Sequence, residues 1–119
     1  MRLNHLLAAD LLGKPIDAAK RSTAERMLAA VGFVRDGERL VLDETHPWVS
    51  LEEHDGLWHV HAESRMPEHL FDTAVTALDA VAREVGLVRL DPFSRREITS
   101  VEWARRVAEE SRATLRRGL

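Results

Sequence analysis

The sequence predicts one α+β domain, a four-stranded antiparallel meander with a short fifth strand candidate, flanked by four helices. Three observations carry this reading. Asp36-Gly37 and Asp55-Gly56 each sit between short runs of alternating apolar and polar residues, the pattern of a β-hairpin. Apolar residues recur at helical spacing from Phe71 to Val85. Capping-box patterns at Ser22-Thr23-Ala24-Glu25 and Thr99-Ser100-Val101-Glu102 mark the starts of two further helices.

Leu3, Leu6, Leu7 and Leu11 fall at helical spacing, with Gly13 and Pro15 as a stop, so residues 2–12 are expected to form a first short helix. A second helix is expected from Ser22, or from as early as Asp17, with Ala24, Met27, Leu28 and Val31 as its apolar stripe and Gly32 at its end. Residues 33–35 and 38–42 then flank Asp36-Gly37 as the first hairpin.

After a break at 44–47, residues 48–53 and 57–63 form the second hairpin. Side chains alternate across a strand, so Trp58, Val60 and Ala62 are expected to face the core while Leu57, His59, His61 and Glu63 face away. Pro67 suits a helix start. The helix behind it is expected to hold Phe71, Ala74, Val75, Leu78, Val81, Ala82 and Val85 on one face and to close at Gly86. Residues 87–90 are the short strand candidate. The final helix runs to about residue 117, with Val101, Ala104, Val107, Ala108, Ser111 and Leu115 as its inner face.

Composition narrows the functional classes. The chain has 119 residues, is 45% hydrophobic and 31% charged, and has no repeats or linkers that would divide it, so residues 1–119 read as a single domain. A domain of this size buries roughly two thirds of the surface its unfolded chain exposes. Cysteine is absent, which excludes disulfides, thiolate metal sites and a cysteine nucleophile. Asp10 interrupts the first apolar run too early for a signal-peptide core, and no apolar stretch approaches the roughly 20 residues of a bilayer span. The expectation is a cytoplasmic protein, and the Ala, Arg and Val usage with few lysines suggests a GC-rich bacterial genome.

The net charge of −3 is unevenly spread: acids crowd residues 36–72 and arginines crowd residues 87–119. Arg105, Arg106, Arg112, Arg116 and Arg117 invite a nucleic-acid reading. Glu102, Glu109 and Glu110 are interleaved among them at salt-bridge spacing, which favours a solvated helical face instead.

The sharpest chemical pattern is His59-Val60-His61-Ala62-Glu63, which puts two imidazoles and a carboxylate on one strand face. His59 and His61 are therefore the candidate ligands for a divalent metal, which would need three or four such groups in a tight cluster. With Glu52 or Glu53 they could also build acid–base chemistry. The plainer account is a solvated sheet face. Trp48 and Trp58 are expected to pair across the second hairpin, or Trp48 to stand at an edge as a binding anchor. Trp103 falls at the margin of the last helix's stripe and is expected either to be half-exposed or to be packed on the sheet or another chain. No phosphate loop, nucleophile elbow or zincin pair is present.

With no recognised catalytic spacing, the leading expectation is a non-enzymatic protein-interaction module: an adaptor, a secretion-type chaperone or an immunity-like protein. Trp48, Glu52, Glu53, Asp55, Glu63 and Trp103 would contact a basic partner, with no cofactor. The second expectation is a small-molecule or metal-binding protein, or an enzyme, using the His59/His61 face. A homodimer formed through the last helix or a free sheet edge is the third. The order of elements is loosely similar to that of small bacterial secretion chaperones, which also surround an antiparallel sheet with terminal helices. Those proteins return from the middle helix into a hairpin, whereas residues 87–90 offer one strand before Asp91-Pro92, and no motif is shared.

Overall fold

A computed structural model describes residues 3–43, 45–63 and 65–118, with side chains to residue 113. The chain runs β1 (His5–Ala8), α1 (Ala18–Ala30), β2 (Phe33–Asp36), β3 (Arg39–Leu42), β4 (Val49–His54), β5 (Leu57–Ala62), α2 (Glu68–Val85), β6 (Val88–Leu90) and α3 (Ser100–Gly118). The strands form one antiparallel sheet in the order β2-β3-β4-β5-β1-β6. The α+β class stands, with six strands and three helices in place of four and four.

The main correction is at the N-terminus. The predicted helix over residues 2–12 is the strand β1, seated between β5 and β6, while Arg2 lies outside the described residues. Every residue of β1 is buried. A strand covered on both faces reads as a continuous apolar run, and over four residues that run has no periodicity to separate it from one helical turn. Pairing on both edges, residues 5–7 with β5 and residues 6–8 with β6, gives this segment ladder partners on each side, which a short isolated helix could not match.

Alternation along the strands divides the core. Leu7 of β1, Leu51 of β4, and Trp58 and Val60 of β5 point to one face, where they join Ala24 and Leu28 of α1, Phe71, Leu78 and Val81 of α2, and Trp103 of α3. All three helices therefore cover the same face. On the opposite face Leu6, Ala8, Leu57 and Leu90 make a small second cluster. Part of its cover is the 9–14 loop, closed by Ala9 N–H to Lys14 O at 3.0 Å, which sets Gly13 against Leu90. From β5 to β2 this face carries no helix.

Local chemistry explains the element ends. Asp17 caps α1, its carboxylate accepting from Lys20 N–H at 2.8 Å, so the helix starts at the earlier of the two predicted points. Thr99 Oγ1 accepts from Glu102 N–H at 3.2 Å, one half of the predicted capping box of α3. Pro67 is the N-cap of α2 rather than its first helical residue. Asp55 and Gly56 make a two-residue turn with φ of 55° and 79°, conformations that suit the twist of the flanking strands. The predicted pairing of Trp48 with Trp58 does not occur: Trp58 lies opposite Glu53, and Trp48 precedes β4. Val101 of the predicted α3 inner face is 80% exposed, and the side chain of Leu115 lies outside the described residues, as do those of Arg116 and Arg117.

Candidate functional site

The helix-free face concentrates the titratable side chains of the second hairpin. Glu52 and His59 are direct cross-strand partners, and His54 Nε2 lies 3.4 Å from Glu52 Oε1. The His54 and His59 rings meet edge to face with centroids 4.9 Å apart. Burial holds the His59 imidazole below its ordinary pKa, His54 and Arg95 adding to the effect while Glu52 and Asp55 oppose it.

His61 has a defined hydrogen-bonding role. Asn4 Oδ1 accepts from Ala62 N–H at 2.9 Å, which fixes the amide orientation and makes Nδ2 the donor. Asn4 Nδ2 lies 3.1 Å from His61 Nδ1, so Nδ1 is the acceptor and the proton of the neutral ring sits on Nε2. His61 thus offers an N–H donor away from Asn4.

These groups border a cleft of about 390 Å³ at the start of β1, lined by Asn4, His5, Leu6, His59, His61, the 91–93 turn and Arg106. Asp91 Oδ1 accepts the backbone N–H groups of Phe93 and Ser94 at 2.9 and 2.8 Å. These bonds, with help from Arg106, hold its carboxyl below the usual range. Arg106 is positioned from α3 by a 2.8 Å bond from Nη2 to Glu102 Oε1. Phe93 stands at the cleft with 95% of its surface exposed. Larger grooves of about 780 and 620 Å³ lie between α2 and α3 and between α1 and α2. The first is lined by apolar side chains such as Leu87 and Val107 together with Arg83, Ser100 and Ser111, and its Asp79 and Arg89 are already joined. The second pairs an apolar wall of Met27, Val31 and Ala77 with Asp72, Thr73 and Thr76 of α2.

The structure divides the residues singled out in the sequence. Glu52, His59 and His61 share the helix-free face, with Asp55 at its turn. Glu53 projects to the opposite face, where its carboxylate meets Arg21 of α1 at 3.0 Å. Glu63 lies just beyond β5 and donates its N–H to Trp48 O at 2.8 Å. Trp48 is half-buried against the core and lies 4.1 Å from the His46 ring. Trp103 takes the packed one of its two expected placements, which removes it from the partner surface: it is 5% exposed, its Nε1 donating to Asp79 Oδ1 at 2.6 Å and its ring covered by the Arg89 guanidinium at 4.3 Å. The acidic residues therefore do not form one patch.

Among the described residues no group of three or more His, Asp or Glu side chains is arranged to hold a metal ion. No helix there is long and apolar enough to cross a membrane. Asn4 and Phe93 of the cleft were not singled out in the sequence, and Arg106 was named only among the arginines of the nucleic-acid reading. The one available signal was Phe93 itself, a large aromatic among turn-forming and charged residues. Compared with known proteins, the chain matches no family model, no curated protein and no solved structure.

Proposed function

We propose that this domain is a non-enzymatic binding module that receives a protein partner on the helix-free face of its sheet. The carrying observation is that the described residues of α1, α2 and α3 pack on one face of the sheet, while on the other face of β2–β5 Val41, Ser50 and Leu57 are buried and polar side chains around them are exposed. That face presents Asp36, Glu52, His54 and His61 at exposed positions. Asp55 borders it and Phe93 stands at its far end, supplying acceptors for a basic partner and an apolar contact. Glu53 and Trp103, engaged on the helical side, drop out of the surface, and Glu52 and Asp55 join Asp36 as its acids.

The test is native mass spectrometry of the protein gently purified from its host, repeated with Glu52→Lys and with Asp72→Lys, an exposed change on α2. A stoichiometric polypeptide lost with Glu52→Lys and retained with Asp72→Lys supports the reading. Retention with Glu52→Lys and loss with Asp72→Lys moves the surface to the helices. A spectrum holding only the bare chain counts against a stable partner.

A further inference from the structure

We propose that the cleft at the start of β1 is a binding site for a small organic anion with an aromatic body. The proposal goes beyond the partner surface: it shares His61 and Phe93 with that surface but names a different occupant, a small molecule whose binding is read on the chain alone.

The donor inventory argues for an anion. His61 turns Nε2–H away from Asn4, and Asn4 has a second amide N–H beyond the one given to His61. Arg106 brings a guanidinium to the same cleft. Among the described residues Asp91 is the one carboxylate lining it, and two backbone N–H groups of its own turn bond its Oδ1. Arg106 is the guanidinium at the cleft itself, held there by Glu102, while Arg95 acts on the neighbouring His59 against the opposite charges of Glu52 and Asp55. Charge-assisted bonds from such donors to a carboxylate are about twice as strong as neutral ones.

Two further features bear on the occupant. His5 belongs to the wall, is enclosed by protein, and its Nε2 has no hydrogen-bond partner. A buried polar atom in that condition calls for a donor, which a bridging water or a ligand hydroxyl would supply equally. Phe93 presents nearly its whole ring to solvent at the cleft, although nothing in a polar turn requires an aromatic residue. An aromatic body placed against it would remove apolar surface from water and gain an offset ring contact.

Amide and imidazole NMR titrations of the intact chain with benzoate, benzyl alcohol and inorganic phosphate test each part. Benzoate is expected to saturate shifts at Asn4, His61 and Phe93 with a Kd on the order of 1 mM, as befits so small a probe. His61→Ala and Phe93→Ser, both at exposed positions, should each weaken it about tenfold, the effect of one strong contact. Benzyl alcohol binding as tightly as benzoate would overturn the anion. Phosphate binding as tightly at the same residues would overturn the aromatic body. Shifts that do not saturate, or that map to the α1–α2 groove, would overturn the site.

Discussion

The His5 ring stands edge-on to Trp103, with centroids 4.8 Å apart and planes at 67°. Nδ1 donates to Leu3 O at 2.6 Å, and burial, reinforced by Arg89 and Arg106, pushes the imidazole down to about 3 despite that hydrogen bond. The folded form therefore binds its proton less readily than the unfolded chain. Above about pH 6.5 the ring is neutral in both states and its contribution is complete. As the pH falls from about 6.5 towards 3, the unfolded state takes up a proton that the folded state refuses, at a cost approaching about 1.4 kcal/mol per pH unit. His59, also lowered by burial, adds in the same direction. Urea unfolding at pH 7, 5.5 and 4 should show a steep loss that His5→Leu reduces. An identical slope in the variant would contradict this account.

Asp79 holds two partners on the helical side. Its Oδ1 accepts from Trp103 Nε1 and from Arg89, whose guanidinium covers the indole face. Asp79→Ala leaves a largely buried cation and an indole N–H without their acceptor. The expected loss is about 2 kcal/mol, below the usual 3–5 for a fully buried pair because the Asp79 side chain is 42% exposed. Combining it with Arg89→Met should recover part of the loss, since the stranded charge is gone. Denaturant midpoints of the two single variants and the double variant check this; strict additivity would refute the coupling.

Much of this architecture was legible because local and tertiary preferences agree. Asp36-Gly37 and Asp55-Gly56 mark real hairpins, and the stripe from Phe71 to Val85 is the buried face of α2. Residues 5–8 were not legible, since a strand buried on both faces and one turn of an apolar helix have the same composition. The placement of Trp103 was undecided for a different reason. A helical stripe shows which residues are apolar, but Arg89 and Asp79, which enclose the indole, come from β6 and α2. The cleft shows the same limit: His59 and His61 were visible as a strand pattern, whereas Asn4 and Arg106 reach them only through the β1–β5 pairing and the return of α3.

Gly56 is the point where the turn of the second hairpin meets the loop leading to α1. Ile16 N–H bonds to Gly56 O at 2.9 Å, and a Cβ on Gly56 would lie 2.6 Å from Pro15 Cβ. Gly56→Ala therefore combines a left-handed backbone with a clash against a rigid ring and should cost about 2–4 kcal/mol. Gly37 has a similar φ of 64° but nothing within 4 Å of the corresponding position, so Gly37→Ala should cost only about 1 kcal/mol. Equal losses in thermal unfolding would show that the Pro15 contact has no energetic weight.

Glu52 and Glu53 are neighbours in sequence on opposite faces, so removing either charge should have separable effects. Glu53 pairs with Arg21 at a partly exposed site, and Glu53→Gln should cost about 0.5 kcal/mol or less. Glu52 lies opposite His59, and its charge favours the protonated imidazole against burial. Glu52→Gln should therefore push the His59 titration further down while leaving stability near neutral pH within about 0.5 kcal/mol. Imidazole NMR titrations read the difference directly. A downward shift of His59 in Glu52→Gln and none in Glu53→Gln would bear out the division of the two acids between the faces. The reverse pattern would place Glu53, not Glu52, beside the histidines and remove the acidic component from the proposed partner surface.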